Sequence, residues 1–421
     1  MSSPSALEYL SSRLTNPWLV GYCEDSFYQS TLYYFKKYNL SQGPIVLFGD
    51  IDRLEYLAQL IAAISTDRPV FLTSPSYKYL NNIDSADKLS SCIMIPTGGS
   101  SGEVRFAKHT WQSLVASVMG FKEYFAIEQV NSFCLLPLYH VSGLMQALRT
   151  LITGGKLIIF DYAAVKSKPP ELDFYSDYFI SLVPTQLKFI LDHFPQWLEG
   201  FGTVLLGGAP PWNSLLQNAR VANIQLALTY GMTETASMVA ALKPNEFLQG
   251  NCSSGKVLPH SKITIEEKSG EIGTIVIESS SLCLGYYPEH LGQFKSLQTD
   301  DLGYFDQAGY LNIVGRKSQK IITGGEKLYP KEVEEALLNT GLISDVVVIG
   351  YSDSYWGEIV TAIYTAEKKV EPEQLKEILK PNLASYKIPK KWIQVDSIAR
   401  NAQGKVNIRE IEQLVKDKAF L

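Results

Sequence analysis

The chain has 421 residues, 46% apolar and 19% charged, with a formal net charge of −5 at pH 7. That length exceeds what one hydrophobic core usually serves, and the composition excludes a disordered or fibrous chain. No basic stripe suits a nucleic-acid partner, so any anion must be met by local groups.

Five cysteines stand singly, without a Cys-x-x-Cys pair, which argues against a zinc site and against a disulfide framework. The first residues lack a basic-then-apolar leader, and no apolar run approaches the roughly 20 residues that span a bilayer. A cytoplasmic protein with no transmembrane segment is the expectation, and self-association into a homo-oligomer is compatible with it.

Taken in chain order, residues 45–50 read as a buried strand. Residues 53–64 follow with Leu54, Leu57, Leu60 and Ile61 at helical spacing, and 70–72 read as a second strand. Strand, helix, strand at this separation predicts a βαβ unit and a parallel sheet. Runs at 91–95 and 104–107 then flank Thr97, Gly98, Gly99, Ser100, Ser101 and Gly102, predicting a hairpin. Glycines let backbone N–H groups converge, and the three hydroxyls add donors, which suits phosphate oxygens. No Gly-Lys-Ser/Thr closes the segment, so it is not a Walker loop. It also spells Gly98-x-Ser100-x-Gly102, nominally the nucleophile elbow of a serine hydrolase, but that elbow needs a helix next. An ordinary hairpin turn is the bland alternative.

The αβ alternation continues with strands at 132–136, 156–160, 203–206 and 226–228 and helices at 143–151 and 185–193. Just past 226–228 come Tyr230, a flat face for a base; Thr233, a hydroxyl for a phosphate; and Glu234, a hard oxygen for a cation. A helix start capped by Thr233 or Thr235 reads equally well.

After residue 256 the texture shifts to short β runs at 263–265, 273–277 and 310–314, predicting a small antiparallel layer or barrel. Asp301 could accept two ribose hydroxyls, with Arg316 nearby, or the two could be a turn carboxylate and a surface ion pair. A helix at 330–338, strands at 346–349 and 359–364 and a helix at 373–379 make a compact α+β unit. The expected division is 1–316 and 317–421, with a short hinge at 315–318. Lys405 lies in a polar turn, where a lone lysine is ordinarily solvated.

The segments at 97–102, 229–235, 299–303 and 401–406, in this order, resemble the adenylate-forming superfamily of acyl-CoA synthetases, luciferases and adenylation domains. Leu136–Gly143 with Arg149, 183–187, 205–209 and 321–326 add to the resemblance and are most similar to the o-succinylbenzoate–CoA ligases of menaquinone and phylloquinone synthesis. The resemblance implies a large αβ-layered domain with a small β-barrel-like subdomain, and a small mobile α+β lid. It implies ATP, Mg²⁺ and coenzyme A acting on a small-molecule carboxylate. The loop at 97–102, with Arg105, would hold the β- and γ-phosphates. Gly207, Gly208 and Ala209 would line the adenine pocket, with Tyr230 stacked on the base and Gly231 beside it. Thr233 would touch the α-phosphate and Glu234 the metal, while Asp301 and Arg316 bind ribose. Lys405 would bridge carboxylate and α-phosphate, and Gly324 and Gly325 would enter for thioester formation. His140 and Arg149 are the candidates for the acyl group.

Three positions depart from the pattern. Arg105 stands where lysine is usual and differs from it in shape and donor geometry. Asp300 adds a carboxylate before Asp301, raising local negative charge, with a modest effect expected if it points to solvent. Ser318 occupies the hinge position. Other aryl or acyl ligases and carrier-protein adenylating enzymes are the neighbouring alternatives.

Overall fold

The computed structural model describes residues 3–49, 51–74, 91–97, 105–171, 175–267, 271–289, 294–400 and 406–417. The predicted βαβ unit is present. Strands Ile45–Phe48, Val70–Thr73 and Ile93–Thr97 lie parallel, with helix Arg53–Ile64 between the first two in sequence. That helix starts at Asp52, whose carboxylate accepts from Leu54 N at 2.9 Å and Glu55 N at 3.0 Å, satisfying two donors of the first turn. The sheet is completed by Arg105–His109 and Tyr286–Tyr287, both antiparallel.

The second sheet has seven strands. Leu157–Ile159, Asn131–Cys134, Tyr175–Leu182, Phe201–Leu206 and Leu226–Met232 run parallel in that spatial order. Ser237–Ala241 and Lys256–Val257 add antiparallel strands on the far side. Phe133 anchors one core, its ring 5.5 to 5.9 Å from those of Phe160, Tyr175, Trp197 and Phe201.

The third sheet is the expected antiparallel layer, in order Ser261–Glu266, Gly273–Ser279, Leu297–Phe305, Leu311–Arg316. The fourth joins Glu326–Leu328, Ile321–Thr323, Gly357–Thr365 and Asp345–Asp353, with Lys391–Gln394 also on Gly357–Thr365. Its strands bury both faces by alternation. Val346, Val348, Val360 and Ala362 pack with helices Pro330–Leu338 and Pro372–Leu379, while Val347 and Ile363 pack with helix Ile408–Asp417. Among the described residues no helix is long and apolar enough to cross a membrane.

Two sequence expectations need correcting. The strand placed at 226–228 runs on to Met232, because Tyr230 and Gly231 pair with Ala240 and Met238. The segment around Asp301 is the central part of a nine-residue strand, not a turn; pairing on both sides overrides the low β-propensity of consecutive aspartates. Phe133→Ala should cost about 3–5 kcal/mol of stability by removing the ring at the centre of that aromatic core; urea unfolding of the purified chain measures it.

Candidate active site

The turn after strand Leu226–Met232 is a single 3-10 turn, Thr233–Thr235, followed by Ala236 and Ser237 with φ of 50° and 91°. Left-handed backbone is costly for residues with a Cβ and persists only where the surroundings fix it. Here they do so at four consecutive carbonyls. Thr233 O meets His109 Nε2 at 2.8 Å, and Glu234 O accepts from Cys283 N at 2.8 Å. Thr235 O accepts from Ser281 Oγ at 2.8 Å, and Ala236 O from Ser117 Oγ at 2.7 Å. The donors come from three separate stretches of chain. Gly231, just upstream, is required, since a Cβ there would lie 2.1 Å from Ser237 O.

His109 is fully buried, and burial lowers its pKa to about 4. It is therefore neutral, with Nε2 donating to Thr233 O and Nδ1 left to accept from Ser113 Oγ at 3.0 Å.

Asp301 sits opposite Arg316 in register. Its Oδ2 accepts from Tyr230 Oη at 2.8 Å and its Oδ1 from Arg316 Nε at 3.1 Å, while its own N–H donates to Thr299 Oγ1 at 3.1 Å. Burial, then the Asp301 charge, push the Tyr230 phenol well above its ordinary value, so it stays a donor. The carboxylate is thus held in one orientation, with a guanidinium beside it that is half exposed. Gly207 and Gly208 lead off the neighbouring strand Phe201–Leu206, ahead of Ala209. A Cβ on Gly207 would lie 2.5 Å from Thr229 Oγ1, and Gly208 has φ of 82°. Tyr230, Asp301, Arg316, Gly207 and Gly208 therefore gather around the carboxyl ends of two adjacent parallel strands, where open αβ sheets bind ligands.

On the other side of the turn, Tyr286 Oη donates to Glu234 Oε1 at 2.8 Å. Gly98, Gly99, Ser100, Ser101 and Gly102 lie outside the described residues, as does Lys405. Their stems are described: Thr97 pairs with Arg105, and the Arg105 guanidinium lies 5.9 Å from the Tyr286 ring. Strand Arg105–His109 follows the loop, so the helix a serine-hydrolase elbow at Ser100 requires is not there. Among the described residues no group of three or more potential metal ligands occurs. A divalent cation here would be held by the Glu234 carboxylate and by phosphate oxygens, a donor set that fits Mg²⁺.

His140 is buried at the N-terminus of helix Val141–Thr153, its ring 4.4 Å from that of Tyr139. Arg149 is 2% exposed, which overturns the solvated-helix alternative. Its guanidinium lies 4.2 Å over Phe121, and its Nη2 donates to Ser237 Oγ at 3.1 Å. Burial lowers the Arg149 pKa to about 9. Among the described residues no carboxylate pairs with it. The buried His260 ring is pushed down to about 4 by burial and then by the Arg149 charge.

Asp300 is exposed and also engages the hinge position. Its Oδ1 accepts from Ser318 N at 3.0 Å, and its Oδ2 from Ser318 Oγ. Gly324 and Gly325, with φ of 58° and 86°, form the tip of the hairpin between Ile321–Thr323 and Glu326–Leu328. The Cβ that Gly324 lacks would lie 2.8 Å from the Trp356 ring. His109, Ser117, Ser281, Cys283 and Tyr286 were not among the sequence candidates. They act through contacts 46 to 124 residues distant in sequence, and no local pattern announces them.

Residues 51–287 match the family model described as AMP-binding enzyme, and residues 332–405 match that of the AMP-binding enzyme C-terminal domain. The chain belongs to the AMP-binding enzyme family, and its resemblance to adenylate-forming enzymes is borne out. It is 30% identical to the 2-succinylbenzoate–CoA ligase of Listeria monocytogenes serovar 1/2a over 81% of this chain and 74% of that protein. Its fold matches o-succinylbenzoate CoA synthetase from Bacillus subtilis in complex with the acyl-adenylate intermediate OSB-AMP, with TM-score 0.83 at 23% identity over 97% and 98% of the two chains. It also matches ATP-bound MatB from Rhodopseudomonas palustris, with TM-score 0.81 at 20% identity over 98% and 99%.

His109 and His260 are neutral when folded and take up a proton near pH 6.5 when unfolded. At these two sites the unfolded state binds more protons between those values, so their contribution to stability should fall as pH drops from 6.5 towards 4, opposed by Glu334, whose carboxyl burial pushes up to about 7. Urea unfolding at a series of pH values should show this, with a flatter dependence in His260→Asn.

Proposed function

We propose that the chain is an ATP-dependent acid–thiol ligase that converts o-succinylbenzoate into its coenzyme A thioester by way of an acyl-adenylate. The observation that carries this is the 30% identity, over 81% of the chain, to a 2-succinylbenzoate–CoA ligase. The arrangement around Glu234, Asp301 and Arg316 supports it. Fold likeness alone does not choose the acid, since MatB and the succinylbenzoate enzyme match almost equally well.

A carboxylate approaching a triphosphate meets repulsion between two anions. The protein must offset that charge with groups already in place, because reorganisation would cost rate. The turn 233–236 supplies fixed geometry for the Thr233 hydroxyl and the Glu234 carboxylate. Magnesium, held through Glu234, would supply Lewis-acid charge at the phosphates. Asp301 and Arg316 hold the ribose, and Lys405 neutralises the oxygens of the reacting pair. The carboxylate oxygen then bonds to the α-phosphorus as the bond to pyrophosphate breaks. The coenzyme A thiolate next attacks the acyl carbon and AMP leaves. The buried Arg149 guanidinium would meet the second carboxylate of an aromatic dicarboxylate, beside His140.

Residues 317–421 form the lid of this reading, turning about 316–318 between the two half-reactions. Strand Leu311–Arg316 belongs to the third sheet and Ile321–Thr323 to the fourth, and one 3-10 turn, Lys317–Gln319, joins them. Cytoplasmic location and homo-oligomer formation belong to the same reading; cell fractionation and light scattering test them.

With ATP and coenzyme A, o-succinylbenzoate should give thioester far faster than benzoate or medium-chain acids. Equal or better turnover of another acid would replace the substrate. Lys405→Ala should lose acyl-AMP formation by about 10²–10³-fold and still transfer preformed acyl-AMP to coenzyme A. Arg149→Met should raise KM for o-succinylbenzoate and leave KM for ATP unchanged; initial-rate kinetics decide both.

A further inference from the structure

Glu234 is gripped twice by one short segment. Cys283 N donates to its backbone carbonyl at 2.8 Å, and Tyr286 Oη donates to its side-chain Oε1 at 2.8 Å. Between them the chain is fixed on the phosphate-loop hairpin: Lys108 N donates to Gly285 O at 2.9 Å and Leu284 N to Lys108 O at 2.7 Å. Tyr286 and Tyr287 then pair with Ala107 and Phe106. The Tyr286 ring is itself confined. Phe294 meets it edge-on at 5.6 Å, and the Arg105 guanidinium lies 5.9 Å from its centroid. Arg105 is in turn 3.4 Å from Glu289 Oε1.

A glutamate carboxylate turns about a broad terminal torsion, so its two oxygens exchange places readily unless one is tied. Here Oε1 is tied. Among the described residues no hydrogen bond reaches Oε2. We propose that Tyr286 is a positioning residue for the metal-binding carboxylate: it takes one oxygen of Glu234 and thereby presents the other to the divalent cation that accompanies ATP. The Arg105 guanidinium, at the start of strand Arg105–His109 and against the same ring, ties that strand to the ring that holds the carboxylate. The arginine found where its family usually has lysine thus has a second task, since a planar guanidinium lies against an aromatic face better than an ammonium does. This inference rests on the assignment of Glu234 to the metal.

The test is Tyr286→Phe in the full chain, which keeps the ring and removes only the hydroxyl. Mn²⁺ binding in the presence of α,β-methylene-ATP, followed by electron paramagnetic resonance and with no acid present, reads the metal site without turnover. The expected result is affinity weakened by about 10–100-fold, the usual cost of losing a partner behind a metal ligand. Acyl-AMP formation should need correspondingly more Mg²⁺, while transfer from preformed acyl-AMP to coenzyme A stays unchanged. In a Glu234→Gln background the tyrosine change should add nothing. Unchanged Mn²⁺ affinity, equal loss in both half-reactions, or additive loss in the double variant would each overturn the inference. Should Tyr286→Phe fold poorly, Arg105→Gln in the same titration should weaken Mn²⁺ binding several-fold, and no change there would overturn the coupling. A wild-type chain that binds neither Mn²⁺ nor nucleotide would instead remove the ligase reading itself.

Discussion

The structure depends on how the four-residue turn 233–236 is suspended. Two of those residues carry the chemistry assigned to the phosphates and the metal, and the strand entering the turn carries Tyr230, which holds Asp301. The turn has almost no regular structure of its own. Its shape is imposed by donors from 109, 117, 281 and 283, one on each successive carbonyl. Each such bond adds only about 0.5–1.5 kcal/mol net, but leaving a buried carbonyl unmet costs about 1–3 kcal/mol, so the set tolerates little rearrangement. The hairpin of the first sheet, the helix after it and the segment leading to Tyr286 converge on the second sheet at this point. A site assembled this way is rigid where charge must be met and independent of the protein's overall field, as a chain of net charge −5 that binds a triphosphate requires.

The same logic explains the buried cation. Arg149 lies in the core on Phe121, with Ser237 as its hydrogen-bonding partner, and no carboxylate pairs with it among the described residues. A buried charge without a counter-charge is expensive, and proteins that keep one usually have a use for it. Its bond to Ser237 places that charge at the exit of the turn that carries Thr233 and Glu234.

Much of this was legible in the sequence. Helix Arg53–Ile64 shows its apolar stripe directly, and the αβ alternation through residue 228 gives the parallel sheets. Glu234 and Asp301 stood out as carboxylates suited to a cation and to ribose hydroxyls, whereas Gly207 and Gly231 followed from the family resemblance alone. What stayed hidden was set by distant partners. Helix Trp111–Phe125 was not predicted; it runs unbroken through Gly120, which is there for a tertiary reason, the His260 ring filling the space of a Cβ at 1.9 Å. Strand Leu297–Phe305 contains two aspartates that oppose strand formation, and only its neighbours hold it extended. Asp300 is exposed and at the same time grips Ser318, a contact no local pattern could reveal.

The most direct measurement is exchange of labelled pyrophosphate into ATP driven by o-succinylbenzoate, comparing the wild-type chain with Ser117→Ala/Ser281→Ala. Both serines are buried, and each donates its hydroxyl to a carbonyl of the turn. The expected result is acid-dependent exchange in the wild type and a loss of about 10²-fold in a double variant that still unfolds cooperatively. Exchange at the wild-type rate in that variant, or none from the wild type with any acid tried, would contradict the view that this suspended turn is what activates the carboxylate.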